Sequence, residues 1–345
     1  MDQPRTTLHS ASMLEILDQA FRVYREKFGL VLTIVGIGTV VTTALNLFNT
    51  LYVVQNLLTT SATISPAANY NYADYGNRFL LVIGWTVVVG FVGGLLNTLI
   101  IGAPLTYLTS ERTLGRSVSI GQAYRAVRGR LLPVALGFVL FGLLLTLLVG
   151  ALLVALFLCG FGFVVVVFVG LNAYAFLLPV LVLEHHGIVY SLRRAWSLAK
   201  VRFWPLLWMT LAVVIMSIFV SLALTLLRDW VLSGPIYALS TNAGLVVQSL
   251  SQAFIGMFIA PILPIAYTLM YYDTRVRVEG LDILLKSVDI PNAGPGDVPM
   301  PPPGALMVRQ DWNNLGRLAL LGLVPVVLYV CAIVGIAATM GANRP

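Results

Sequence analysis

No charged residue occurs between Arg130 and Glu184, a stretch of 53 residues. At 1.5 Å of rise per residue, one helix of that length would run about 80 Å, more than twice the roughly 30 Å thickness of a bilayer's hydrocarbon. The stretch must therefore cross a membrane twice. Its turn is expected at Leu158-Cys159-Gly160-Phe161-Gly162, the one glycine-paired break near its middle.

The rest of the chain has the same character. It is 59% hydrophobic with a mean hydropathy of +0.91, and only 10% of its residues are charged, against about 25% in a soluble domain. This composition makes it an all-α integral membrane protein. Cys159 and Cys331 both lie in apolar runs, which excludes a disulfide framework and a cysteine-based zinc cluster. The first twelve residues are polar and no apolar run follows before residue 29, so no cleavable signal peptide is expected.

Seven apolar runs are long enough to span: residues 29–54, 79–105, 131–157, 161–183, 203–227, 244–270 and 318–340. With the N-terminus inside, eighteen of the 21 Lys and Arg fall on the inner side, and only Arg78, Arg228 and Arg344 fall outside. By the positive-inside rule this orients the chain in a bacterial cytoplasmic membrane, N-terminus cytoplasmic and C-terminus external. The outer loop 55–78 carries Tyr70, Tyr72 and Tyr75, read as interface anchors. Pro291, Pro295, Pro299 and Pro301-Pro302-Pro303 mark a stiff, unstructured linker. The expected organisation is a six-span core domain over 1–290, a cytoplasmic linker over 291–317, and a seventh span with a short tail over 318–345.

Three stretches repeat one pattern: Ala, aromatic, three residues, base, one residue, base, then the apolar residue that opens a span. They begin at Ala20-Phe21, Ala123-Tyr124 and Ala195-Trp196, and their closing bases are Arg25 and Lys27, Arg128 and Arg130, and Lys200 and Arg202. Each reads as an amphipathic surface helix feeding a membrane hairpin, so the core is three such repeats. In the first copy Met13, Leu17, Phe21, Tyr24 and Phe28 form an apolar stripe, and Ser12 with Glu15 fits a capping box. The return spans agree too: Pro104 precedes Glu111, Pro179 precedes Glu184, and Pro264 precedes Asp273. The six closing bases are candidate ligands for anionic lipid headgroups. The competing reading is that any inner entry site attracts bases and aromatics, which leaves the fixed spacing unexplained.

Chemistry is sparse. No ionisable group lies well inside a span, which argues against proton-coupled transport and intramembrane metalloproteolysis. Asn46, Asn97, Asn172, Gln248 and Gln252 are read first as interhelical hydrogen-bonding groups. Gly90 and Gly94 have the spacing that allows close helix approach. His185 and His186 are adjacent, so on a helix they point about 100° apart and chelate one metal poorly. No nucleotide-binding or hydrolase motif is present, no metal or cofactor site is expected, and no nucleic-acid partner is implied. In Tyr271-Tyr272-Asp273-Thr274-Arg275-Val276-Arg277-Val278-Glu279-Gly280, helical spacing sets Asp273 against Arg277 and Arg275 against Glu279. This is either a solvated helix extension with weak surface pairs, or a latch that docks on the basic surface helices or on a partner.

With that stretch the chain resembles the bacterial family known as the glycerophosphoryl diester phosphodiesterase membrane domain. The matching pieces are Ile16-Leu17-Asp18-Gln19-Ala20-Phe21, Gly115-Arg116-Ser117-Val118-Ser119, Glu184-His185-His186-Gly187 leading to Ser191-Leu192-Arg193-Arg194-Ala195-Trp196, and Tyr272 through Gly280. The resemblance extends over roughly residues 12–285, six of the seven expected spans. Members that give the family its name carry a fused phosphodiesterase barrel, which needs about 250 further residues. The longest inner segment here, residues 273–317, has no His. The resemblance therefore implies the membrane module without the catalytic function. The expected function is a non-catalytic polytopic scaffold associated with anionic lipid, or an anchor for a protein partner on the cytoplasmic face. The alternative is a carrier for lipids or small neutral solutes along Asn97, Asn172 and Gln252.

Overall fold

The three repeated motifs fold as amphipathic helices, each running almost directly into a spanning helix. In the computed structural model, which describes residues 11–62, 72–159, 162–237, 241–288 and 293–321, α1 (Met13–Glu26) leads to α2 (Phe28–Ala62). Likewise α5 (Ile120–Arg128) leads to α6 (Leu131–Cys159), and α9 (Ile188–Val201) to α10 (Phe203–Tyr237). Ser12 and Glu15 cap α1 reciprocally, and Ser119 and Gln122 do the same for α5. Each box satisfies two backbone donors that a helix start leaves open. Gly187 opens α9 without a side-chain cap.

Each hairpin returns through a helix that is broken at the same place. The first return is α3 (Tyr72–Asn97), a π-helical turn (Thr98–Gly102) and α4 (Ala103–Thr113). The second is α7 (Gly162–Tyr174) and α8 (Leu177–Leu183), and the third is α11 (Thr241–Ile259) and α12 (Ile262–Glu279). The breaks follow from Pro104, Pro179 and Pro264. Proline gives no N–H to the carbonyl four residues back, and its ring crowds that carbonyl. Those carbonyls belong to Ile100, Ala175 and Ala260, each inside a break. The Ile100 carbonyl takes a replacement donor, the Tyr124 hydroxyl, at 2.9 Å. Tyr124 is the aromatic of the second repeated motif, so its entry helix is tied directly to a broken return span.

Among the described residues, the stretches long and apolar enough to cross a membrane run over Phe28–Val53, Gly76–Thr113, Leu131–Leu148, Val164–Leu183, Phe203–Val231 and Ala243–Glu279. The chain is a multi-pass helical membrane protein, and the described residues contain no strand. Two of these stretches, 38 and 37 residues long, reach about 56 Å and exceed a bilayer. Their parts beyond the breaks, α4 and α12, pack against each other and against α8 at one end of the molecule. There α1, α5 and α9 pack around them, and the main hydrophobic cluster joins these elements through residues such as Ile16, Ala103, Val127, Leu177, Ala195, Leu198 and Met270. The core is thus a headpiece at the basic end. Away from it the helices present apolar faces outward, as at Leu80, Leu147, Phe219 and Trp230.

Several expectations change. α6 ends at Cys159 and α7 begins at Gly162; residues 160 and 161, where the hairpin turn is expected, lie outside the described residues. Gly90 and Gly94 face open space, and the close approaches fall instead at Gly38 against Ile101, Gly137 against Leu181 (2.7 Å from an added Cβ) and Gly142 against Phe91. The described part of the proline-rich segment has no helix or strand until residue 309, but it lies against the headpiece, with Ala293 and Val298 buried. A helix is entered at 309, inside the stretch assigned to the linker. Most of the expected seventh span, and the external tail, lie outside the described residues, as do residues 63–71 of the outer loop, Tyr70 among them, whereas Tyr72 and Tyr75 belong to the first turn of α3.

Candidate functional site

The acid that closes the second return span, Glu184, is the centre of a buried ion network. Its side chain is fully buried where α8 ends. The Arg194 Nε of α9 donates to Oε2 at 3.2 Å, the Tyr271 hydroxyl of α12 donates to Oε1 at 2.7 Å, and Arg275 Nη1 stands 3.4 Å from the same oxygen. Arg275 also donates to the Tyr271 oxygen (3.0 Å), to Glu279 Oε2 (2.8 Å) and to the Pro295 carbonyl (2.8 Å). Arg194 closes the ring on Glu279, with Nη2 2.7 Å from Oε2 and 2.5 Å from Oε1. Two carboxylates and two guanidiniums thus alternate. Every one of these side chains is 2% exposed or less. Charges so deeply buried are tolerated only when paired and hydrogen-bonded.

Asp273, one turn nearer the break, makes a second cluster. Its Oδ1 accepts the Ala11 N–H at 2.8 Å and Arg277 Nε at 3.0 Å, and its Oδ2 accepts Arg202 Nη2 at 3.0 Å. Arg277 Nη2 then donates to the Ala11 carbonyl at 2.8 Å. The Asp273–Arg277 and Arg275–Glu279 pairs form with the spacing read from the sequence, but three of the four side chains are buried rather than solvated. α12 is stopped by Gly280, whose φ of 63° is the left-handed conformation that glycine adopts without strain. The chain then turns into α13 (Leu281–Ser287), with Leu281 fully buried.

The proline-rich segment roofs this network with its own backbone. Arg116 donates to the Ala293 carbonyl (2.8 Å), Arg275 to Pro295, Arg194 to Pro301 (3.4 Å), Lys200 to Ala305, and the Trp196 indole to Leu306 (2.6 Å). Gly296 sits so close that an added Cβ would lie 2.5 Å from the Leu183 carbonyl. His185, beneath it, has a φ of 59°. Burial lowers its pKa first, and the Arg130 and His186 charges add to this against an opposing effect of Asp297. His186 uses Nδ1 on the Glu184 carbonyl at 2.5 Å and stacks on Tyr190.

The six expected headgroup ligands divide into two groups. Arg25 and Arg128 are exposed and Lys27 and Arg130 half-buried, and none of these four side chains makes an ion pair or hydrogen bond among the described residues. Lys200 is buried against Ala305, 3.7 Å from Asp311, and Arg202 is held by Asp273. Asn172 is buried and donates to the Phe168 carbonyl at 2.8 Å, whereas Asn97, Gln252, Asn46 and Gln248 are exposed. Among the described residues no hydrogen bond joins Asn97, Asn172 and Gln252, and no three His, Cys, Asp or Glu side chains gather as a metal site.

Comparison with family models, with curated proteins and with solved structures finds no match to this chain. The chemistry of the site follows from its own geometry. Its acids and bases are engaged with each other and with backbone carbonyls, which ties α8, α9, α12 and the proline-rich segment into one headpiece.

Proposed function

We infer that the chain is a non-catalytic scaffold of a bacterial cytoplasmic membrane, with its basic end inward, carrying anionic lipid and offering that end as an anchor for a partner. The observation that carries this reading is Arg194 held between Glu184 and Glu279. A catalytic or ion-conducting carboxylate needs a free face toward a substrate, while this ring uses its charges to brace helices against one another. The bases left over, Arg25, Lys27, Arg128 and Arg130, stand at the starts of spans, where each contributes about 1 kcal/mol near an anionic leaflet. The inward orientation draws on the same asymmetry of Lys and Arg. A membrane module akin to the glycerophosphoryl diester phosphodiesterase membrane domain, without its barrel, fits this role.

The test purifies the full chain and a variant with Arg25, Lys27, Arg128 and Arg130 changed to Gln, and measures retained anionic lipid at rising salt. The parent should retain lipid in a salt-dependent way, since exposed charges are screened over about 8 Å at physiological ionic strength. Equal lipid content and equal salt response in the variant would remove the lipid part of this reading.

A further inference from the structure

Outside the ion network, an apolar cavity of about 190 Å³ opens between α6, α7 and α9. Its walls are Phe141, Leu144 and Leu145 of α6, Val169 and Ala173 of α7, and Leu192, Arg193 and Trp196 of α9, with Leu306 of the proline-rich roof at one edge. A dry cavity of about 150 Å³ already accepts a benzene-sized apolar guest, so this one has room for a segment of an acyl chain.

Its position narrows the guest. The cavity lies at the level of the break between α7 and α8, where Tyr174 packs on Phe141. That is the boundary between the packed headpiece and the outward-facing apolar helices, and Leu143, Leu144 and Leu147 on the adjoining face of α6 are 58%, 48% and 70% exposed. Phospholipid phosphates lie at such a boundary. Trp196 forms part of the wall with its indole N–H turned to the Leu306 carbonyl, an amphipathic ring placed where such rings favour the interface.

Arg193 supplies the polarity. It is exposed and makes no ion pair or hydrogen bond among the described residues. Its neighbour Arg194 is taken up by Glu184, Glu279 and the Pro301 carbonyl. A long basic side chain lays its methylenes along apolar surface and keeps its head in water, so Arg193 lines the cavity with its stem and presents a guanidinium at the rim. That fork matches a phosphate better than a point charge does.

The geometry points to a selective phospholipid site, in which one acyl chain of an anionic glycerophospholipid enters the cavity and its phosphate meets Arg193. This inference rests on the lipid-associated reading above and assigns it a site apart from Arg25, Lys27, Arg128 and Arg130. The fit is one of charge as well as shape: an apolar cleft facing the bilayer, with a cation free of protein partners among the described residues at its rim.

The test reconstitutes the full chain in vesicles of phosphatidylcholine and phosphatidylglycerol, with one or the other brominated on its acyl chains, and follows tryptophan quenching. Trp196→Phe identifies the share of quenching that belongs to Trp196. That share should favour brominated phosphatidylglycerol over brominated phosphatidylcholine by about fivefold. Arg193→Gln should bring the two lipids to parity, and Ala173→Phe, which fills the cavity, should abolish the Trp196 share. Equal quenching by both lipids in the parent, or a preference that survives Arg193→Gln, overturns the proposal. The four-base variant distinguishes the two ideas: selective quenching that persists while bulk lipid retention falls supports a separate site. Selective quenching lost in that variant but kept in Arg193→Gln overturns it and leaves the general reading standing.

Discussion

Arg194 and Glu279, 85 residues apart, meet at 2.5 Å with both side chains only 2% exposed. This pair and the Arg194–Glu184 pair join α9 to the end of α12 and the end of α8. Removing the cation leaves two buried carboxylates with only Arg275 to balance them. Arg194→Met should therefore destabilise the headpiece by about 3–5 kcal/mol, read as a lower unfolding midpoint in detergent. Lys in its place should restore little, because a point charge cannot bond both acids with the guanidinium's fixed fork. A midpoint unchanged in Arg194→Met would mean that the network is not a brace.

The roof depends on Gly296. An added Cβ would press on the Leu183 carbonyl and approach His185 Nδ1 at 3.0 Å. Backbone cannot retreat as a flexible side chain does, so Gly296→Ala should lift the segment at a cost of about 1–3 kcal/mol. Limited proteolysis within residues 293–308 should accelerate while the helix content of the remainder holds. Cleavage at the parent rate would show that the close fit at Gly296 does not hold the roof.

His185 should give a pH dependence whose sign is fixed by its surroundings. Its folded pKa is lowered, by burial first and then by Arg130 and His186, against Asp297. The unfolded chain thus takes up the proton more readily. The contribution is fully present above the ordinary imidazole value of about 6.5 and is lost as pH falls through and below it. His185→Asn, which tolerates the left-handed φ of 59°, should flatten the fall in thermal midpoint between about pH 7 and 5. An equally steep fall in that variant would place the titrating group elsewhere.

The Tyr124 hydroxyl on the Ile100 carbonyl tests the origin of the helix breaks. Tyr124→Phe should cost about 1 kcal/mol by leaving that carbonyl unsatisfied. Pro104→Ala returns an N–H that can reach the same carbonyl, so the double variant should lose less than the sum of the two single changes. Strict additivity would mean that the tyrosine does not stand in for the missing proline donor.

Features that depend on neighbours in the chain are legible in the residues themselves. Hydropathy is a local sum, so six of the spans follow from it, and the charge-free length from 131 to 183 already requires two of them. The Ser12–Glu15 box needs only a spacing of three, and the Asp273–Arg277 and Arg275–Glu279 pairs a spacing of four. The threefold motif marks the starts of α2, α6 and α10. The three prolines are visible as well, but the breaks they make are read only by asking which carbonyl each proline deprives.

Burial of the charged motif is not legible in this way. Glu184 meets Arg275 and Arg194 meets Glu279 across separations of 91 and 85 residues, and nothing in a helical repeat says which face a distant helix will cover. The roof is hidden for another reason. Its ligands are backbone carbonyls at Ala293, Pro295, Pro301, Ala305 and Leu306, and every residue type carries one, so no sequence pattern marks an acceptor. Sequence alone determined the class, the spans and the repeated motif, because these rest on local hydrophobicity and short spacing. Tertiary structure alone decided that Lys200 and Arg202 turn inward while Arg25, Lys27 and Arg128 make no ion pair among the described residues. Pairing of buried charges depends on which distant acid and which backbone oxygen the packed helices bring within about 3 Å.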